Sequence, residues 1–158
     1  MDHSIESILN YLVVTTDIIT GGQPSPGEII ALGEAGYQIV INLATSTSPD
    51  AIPEEQELVQ AAGMAYVHIP VEWQSPMKSD LLKFFAMFEP YRKFKTFVHC
   101  SLNMRVSVFI YLFRVIVERQ NATDCWQDVL KIWQPNETWL SYINTMLEEI
   151  IPPGNDQD

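Results

Sequence analysis

Lys95-Thr96-Phe97-Val98-His99-Cys100-Ser101-Leu102-Asn103-Met104-Arg105 is the stretch that orders the rest of the chain. Thr96 to His99 reads as a short buried strand, followed by a Cys, a tight loop and an Arg at the mouth of a long apolar helix, Met104 to Arg119. A thiol in that position faces a helix N-terminus, whose unpaired N–H groups favour a thiolate and cradle an anion. Arg105 adds a planar positive fork matched to phosphate or sulfur oxyanions. The alternative is an inert thiol at the end of a buried strand.

Working outward, Gln38-Ile39-Val40-Ile41-Asn42-Leu43 and Met64 to Ile69 are near-continuous apolar runs, the pattern of strands buried on both faces. Ser25-Pro26-Gly27-Glu28 combines a cap, a Pro at the first helical position and a Glu three residues on, so a helix runs from there to Gly36. Pro53 to Ala62 and Ser79 to Phe88 read as further helices, separated by polar loops at Ala44 to Pro53 and Pro70 to Pro76. Residues 4–12 fit a short leading helix and Tyr11 to Thr20 an edge strand. Beyond the apolar helix, Thr123 is the expected cap of a helix to about Trp133, and Asn136 that of a last one to Ile150. Alternating strands and helices predict an α/β fold: a mainly parallel sheet of four or five strands flanked by helices. Ligands of such sheets bind beyond the carboxyl ends of the strands, where His99-Cys100 falls. One domain over residues 1–151 and a flexible tail over 152–158 complete the expected organisation.

Composition narrows the function classes. The chain is 47% hydrophobic and 18% charged, the balance of a globular protein, and its net charge of −11 argues against nucleic acid or an anionic membrane as partner. No apolar run is long enough to span a bilayer, no signal peptide is evident and two cysteines make no disulfide framework, so a cytoplasmic location is expected. Six of the nine basic residues, Lys78, Lys83, Arg92, Lys93, Lys95 and Arg105, cluster in sequence near the loop. They either focus an anionic substrate or solvate one helix and its turn. No zinc-type ligand spacing or glycine-rich nucleotide loop is present, so no metal or cofactor is expected.

His99-Cys100 with Arg105 resembles the active-site loop of cysteine-dependent phosphatases of the dual-specificity type. Gly22-Gln23-Pro24-Ser25, Ile39 to Leu43 and Tyr66-Val67-His68-Ile69-Pro70-Val71 follow the order of that core. Together they resemble a bacterial phosphatase-like family whose members also occur fused to metallo-β-lactamase-fold hydrolases. The resemblance implies a dual-specificity-phosphatase-like fold and hydrolysis of a phosphomonoester, on a phosphorylated small molecule or protein, through a phosphocysteine. Cys100 would be the nucleophile, Arg105 the oxyanion ligand and Glu72 the general acid, with Ser101, Leu102, Asn103, Met104, His99 and Trp73 against the substrate.

The loop departs from the family pattern, which spaces Cys and Arg by five residues where this chain has four. Two registers follow. Anchoring at Cys100 puts Asn103 in the Gly position and Ser107 where a hydroxyl hydrogen-bonds the sulfur, but gives Val106 the place of the Arg. Deleting one loop residue restores Arg105 and leaves Val106 where the hydroxyl belongs. Cys-x4-Arg is also the loop length of rhodanese-type sulfurtransferases, which makes sulfur transfer through a Cys100 persulfide a second reading. A pseudophosphatase that binds phosphate without turnover is a third. Asp80 is a second acid candidate, although it suits the start of its helix. His99 is expected to point away from Cys100 and tie the loop by hydrogen bonds, His68 to be a satisfied core residue, and Cys125 a core thiol.

Overall fold

The computed structural model describes residues 4–150, so the tail expected from 152 onward lies outside the described residues. Strands β1 (Leu12–Val13), β2 (Ile18–Gly21), β3 (Ile39–Asn42), β4 (Ala65–His68) and β5 (Thr96–His99) form one sheet in the order β1-β2-β5-β3-β4. Every pairing is parallel except that of β1 with β2. The expected α/β class, strand number and mainly parallel arrangement are all observed.

Strand alternation divides the core into two layers. Ile18, Ile39, Ile41 and Val98 face one side, and pack with helices α3 (Lys78–Phe88), α4 (Met104–Leu112), α5 (Ala122–Ile132) and α6 (Glu137–Ile150). Ile19, Val40 and Phe97 face the other, against α1 (Pro26–Glu34) and α2 (Glu55–Ala61). The first layer holds the larger aromatics, Phe84, Phe88, Phe109, Phe113 and Trp139. Helix α4 crosses this layer with every residue from Arg105 to Leu112 buried, as its all-round apolar sequence requires. Its regular part ends at Leu112, and Phe113–Val117 continues as a wider π-type turn rather than the α-helix expected to Arg119.

Ser25 and Glu28 form the reciprocal cap read from the sequence: the Ser25 hydroxyl accepts from Glu28 N, and the Glu28 carboxylate from Ser25 N. Other expectations need correcting. Residues 4–12 make a single 3-10 turn, Ile5–Ser7, because so short a segment gains too few internal bonds to offset helix nucleation. Ile8 instead enters the second core layer. The expected strand Tyr11 to Thr20 is two strands, folded on themselves by a turn in which Val14 N donates to Ile18 O. The cap of α5 is Asn121, whose short side chain accepts from Asp124 N, while Thr123 already lies inside the helix. Strand β4 is a sheet edge rather than a doubly covered strand, and His68 is exposed, with Nε2 donating to Ala44 O.

Candidate active site

Three connections at the carboxyl end of the sheet enclose a cavity of about 380 Å³. Cys100, Ser101, Leu102, Met104 and Arg105 form its floor, following β5. Glu72 and Trp73 come from the segment after β4, and Thr45, Ser48, Pro49 and Asp50 from the one after β3.

The loop after Cys100 is held from beneath by its carbonyls. His99 Nδ1 donates to Cys100 O at 3.0 Å, Gln23 N to Ser101 O at 3.0 Å, and Asn10 Nδ2 to Leu102 O at 2.9 Å. Among the described residues every peptide bond is trans, so the N–H groups of Ser101 and Leu102 are turned opposite to the first two of those carbonyls. A Cβ at Gly22 would lie 2.4 Å from Ser101 O, so only glycine lets this approach happen. Asn103 takes the left-handed conformation, φ 67°, that its place in the turn demands. Its Nδ2 donates to Asn10 O and Thr20 Oγ1, and its side chain makes no cap bond to α4. The first-turn N–H groups of α4, those of Met104 and Arg105 among them, therefore lack a side-chain acceptor. Uncapped N–H groups beside a fixed guanidinium make an anion receptor.

Arg105 lines the cavity while Val106 is fully buried in the core, so it is Arg105 that faces the loop. Its Nη1 donates to Val71 O at 2.9 Å, and its guanidinium carbon lies 6.0 Å from the centre of a Trp73 ring. Arg105 thereby anchors the segment that carries Glu72. On the far side of Glu72, Trp139 Nε1 donates to Trp73 O at 3.0 Å, so the residue before Glu72 and the one after are both pinned. Trp73 packs against Trp133 and Trp139, at ring separations of 5.3 and 5.6 Å.

Beneath the loop, on the sheet face opposite Cys100, His99 Nε2 lies 2.6 Å from Glu55 Oε2 with both side chains buried. Gln23 Nε2 donates to Glu55 Oε1 at 2.9 Å. Burial pushes the Glu55 carboxyl up. The hydrogen bond and charge of His99 outweigh it, with help from Gln23 and the charge of His68, and hold the group below its ordinary value. Because Nδ1 must carry a hydrogen to bond a carbonyl, an ionised Glu55 makes His99 a donor from both ring nitrogens. Glu55 thus steadies two of the three groups that hold the loop carbonyls, His99 directly and Gln23 through its amide.

Not every expected site residue meets the cavity. His99 and Asn103 are fully buried and orient the loop from behind. The Ser107 hydroxyl, expected against the Cys100 sulfur, donates to Met104 O at 2.6 Å and accepts from Trp133 Nε1 at 2.9 Å. One residue fewer between Cys100 and the helix leaves that hydroxyl facing the turn rather than the thiol. Asp80 caps α3 by accepting from Met77 N, and Cys125 is a buried thiol pushed up chiefly by desolvation. The basic cluster is a cluster in sequence only. Lys78 pairs with Glu149, Arg92 with Glu118, and Lys95 donates to Ala35 O, so Arg105 is the one member of the cluster that lines the cavity. Glu55, Gln23, Asn10 and the loop bearing Asp50 carry no functional signal of their own in the sequence. Gln23 lies in the Gly22-Gln23-Pro24-Ser25 segment, whereas Glu55 has the pattern of an ordinary acidic residue in the first turn of a helix.

No protein-family profile matches the chain, and no curated protein sequence matches it. Solved structures do. The fold is that of tyrosine and dual-specificity phosphatases: Tk-PTP superposes with TM-score 0.75 at 14% identity, over 90% of this chain and 98% of that one. TpbA of P. aeruginosa, in complex with pTyr, does so with TM-score 0.70 at 10% identity, over 90% and 86%. Two crystal structures of a candidate phosphatase (DUF442) from Shewanella putrefaciens CN-32 are more similar. One has TM-score 0.82 at 29% identity over 92% of this chain and 96% of its own. The other has TM-score 0.77 at 32% identity over 89% and 90%. The chain belongs to the DUF442 family.

Proposed function

We propose that this protein is a cysteine-dependent phosphatase acting on a phosphomonoester. One observation carries the reading: a thiol, an uncapped helix N-terminus, outward-turned loop amides and a buried guanidinium converge on one cavity floor. In the proposed reaction Cys100 Sγ attacks phosphorus. The P–O bond to the leaving group breaks, and the departing oxygen takes the proton of Glu72. Water then attacks the phosphocysteine, Glu72 accepts a proton from it, and the P–S bond breaks to release phosphate and restore the thiolate. Arg105 and the loop N–H groups offset charge on the equatorial oxygens, the main requirement of phosphoryl transfer. Every step uses the chain's own groups. The substrate is a phosphorylated small molecule or protein, the class to which the pTyr bound by TpbA belongs.

The four-residue spacing favours a second reading, sulfur transfer through a Cys100 persulfide, and the test separates the two. Wild type and Cys100→Ser are assayed on an aryl phosphate, an alkyl phosphate and on thiosulfate with cyanide, and inorganic phosphate binding is measured by calorimetry. A phosphatase hydrolyses the esters, loses that activity in Cys100→Ser and still binds phosphate. Thiosulfate turnover without ester hydrolysis overturns the proposal in favour of sulfur transfer. Phosphate binding without either turnover leaves a pseudophosphatase. Iodoacetate is expected to alkylate Cys100 ahead of Cys125, and phosphate to block it; equal labelling of both thiols removes Cys100 from the chemistry.

Arg105→Lys replaces a planar fork with a point charge and also loses the tether to Val71. Phosphate affinity is expected to fall by about 1–3 kcal/mol, the scale of a charge-assisted hydrogen bond. Unchanged affinity by calorimetry would mean that the loop amides alone bind the anion.

A further inference from the structure

Arg105 is the sole cation among the residues lining the cavity, and a bound phosphoryl group uses it. The other charged side chains there are Asp50 and Glu72, both exposed and both acidic. Glu72 is assigned to the leaving oxygen in the proposed reaction, which leaves Asp50 as the acidic side chain that the rest of the substrate meets. The remaining wall is largely apolar, with Trp73, Leu102, Met104 and Pro49 contributing. Lys78 and Lys95, close to the loop in sequence, are engaged away from the cavity: Lys78 with Glu149, and Lys95 on Ala35 O and the Tyr37 ring. A second phosphate on the same substrate would find no partner and would face a carboxylate.

We infer that the site selects a monophosphate ester whose leaving group is apolar and carries a positive charge, and that it rejects polyphosphorylated compounds. This rests on the proposed phosphate-handling role of the Cys100 loop. SIW14 of S. cerevisiae, a PP-IP phosphatase, shares this fold at 14% identity, so on this inference the discrimination belongs to these wall residues and not to the fold. Like charges brought together across an interface are strongly disfavoured, whereas opposite charges steer encounter. Trp73 adds an aromatic face to the apolar wall for the body of the substrate.

The probes are O-phosphotyramine, 2-naphthyl phosphate and inositol hexakisphosphate. They are compared by kcat/KM in wild type, Asp50→Asn and Asp50→Lys, and by binding to the same proteins carrying Cys100→Ser. O-phosphotyramine is expected to exceed 2-naphthyl phosphate about threefold and inositol hexakisphosphate by at least about tenfold. Asp50→Asn should erase the first difference, and Asp50→Lys should reverse the order. If inositol hexakisphosphate binds as well as the monoesters in wild type, or if neither Asp50 variant changes the ranking, the inference is overturned. Ranking preserved in the Cys100→Ser binding series, with no hydrolysis by wild type, would overturn the phosphatase reading and leave the ligand class standing. Absence of binding by all three probes overturns both.

Discussion

Glu55→Ala is expected to cost about 3–5 kcal/mol of stability, because it removes one partner of a buried ion pair and strands the other. His99 then has no acceptor at Nε2, and Gln23 loses the oxygen that orders its side chain. The loss is larger than for a surface acid because the two side chains are 3% and 0% exposed, so water cannot substitute. Glu55→Gln keeps the shape and an acceptor, and should recover part of the loss. Denaturant titration measures both variants. The pH dependence has a definite sign. Glu55 sits below its ordinary carboxylate value in the folded protein, so its contribution is present above the unfolded-state value and is lost as pH falls through the folded one. Wild type should therefore lose stability in that acidic range more steeply than Glu55→Gln. Parallel pH profiles for the two would show that the pair carries no net stabilisation.

Glu72→Gln should cut turnover of an alkyl or tyrosyl phosphate by about 10²–10⁴-fold, with a much smaller loss on an activated aryl phosphate. A poor leaving oxygen must receive its proton as the bond breaks, while a good one departs as the anion. Glu72 is exposed and its side chain is long, but its backbone is fixed at Val71 by Arg105 and at Trp73 by Trp139. On the proposed reading, that fixing offsets the extra reach of a Glu relative to the Asp of the family pattern. Sulfur transfer from thiosulfate has no such oxygen to protonate, so the same substitution should leave it unaltered. An equal loss on both classes of ester would assign Glu72 to positioning and not to proton transfer.

How far the sequence was legible depended on the range of each interaction. Local patterns carried the sheet and most helices: Ile39 to Asn42 and Thr96 to His99 are strands, and Ser25 with Glu28 caps α1 as read. The αL turn at Asn103 matches the register that puts it in the Gly position, although that same register gives Val106, and not Arg105, the place of the Arg. Pairings across the chain were invisible. Nothing in the helical periodicity of residues 55–61 says that Glu55 reaches His99, 44 positions later. The basic residues near Arg105 were misleading because closeness in sequence is not closeness in space; α3 presents Lys78 to Glu149 and not to the loop. His68 was misjudged because a β-branched, apolar strand pattern does not tell an edge from a centre.

The tryptophan arrangement makes the protein its own reporter. Three of the four indoles, Trp73, Trp133 and Trp139, are in mutual contact, and Trp73 lines the cavity beside the Arg105 guanidinium. Trp126 stands apart from them, packed on Tyr111. An anion that draws on the guanidinium changes the field at one indole, and close coupling shares that change among all three. Intrinsic emission should therefore follow occupancy of the floor without any label, against a steady background from Trp126. Trp73→Phe should silence the signal while leaving the other two rings to report on the integrity of the core.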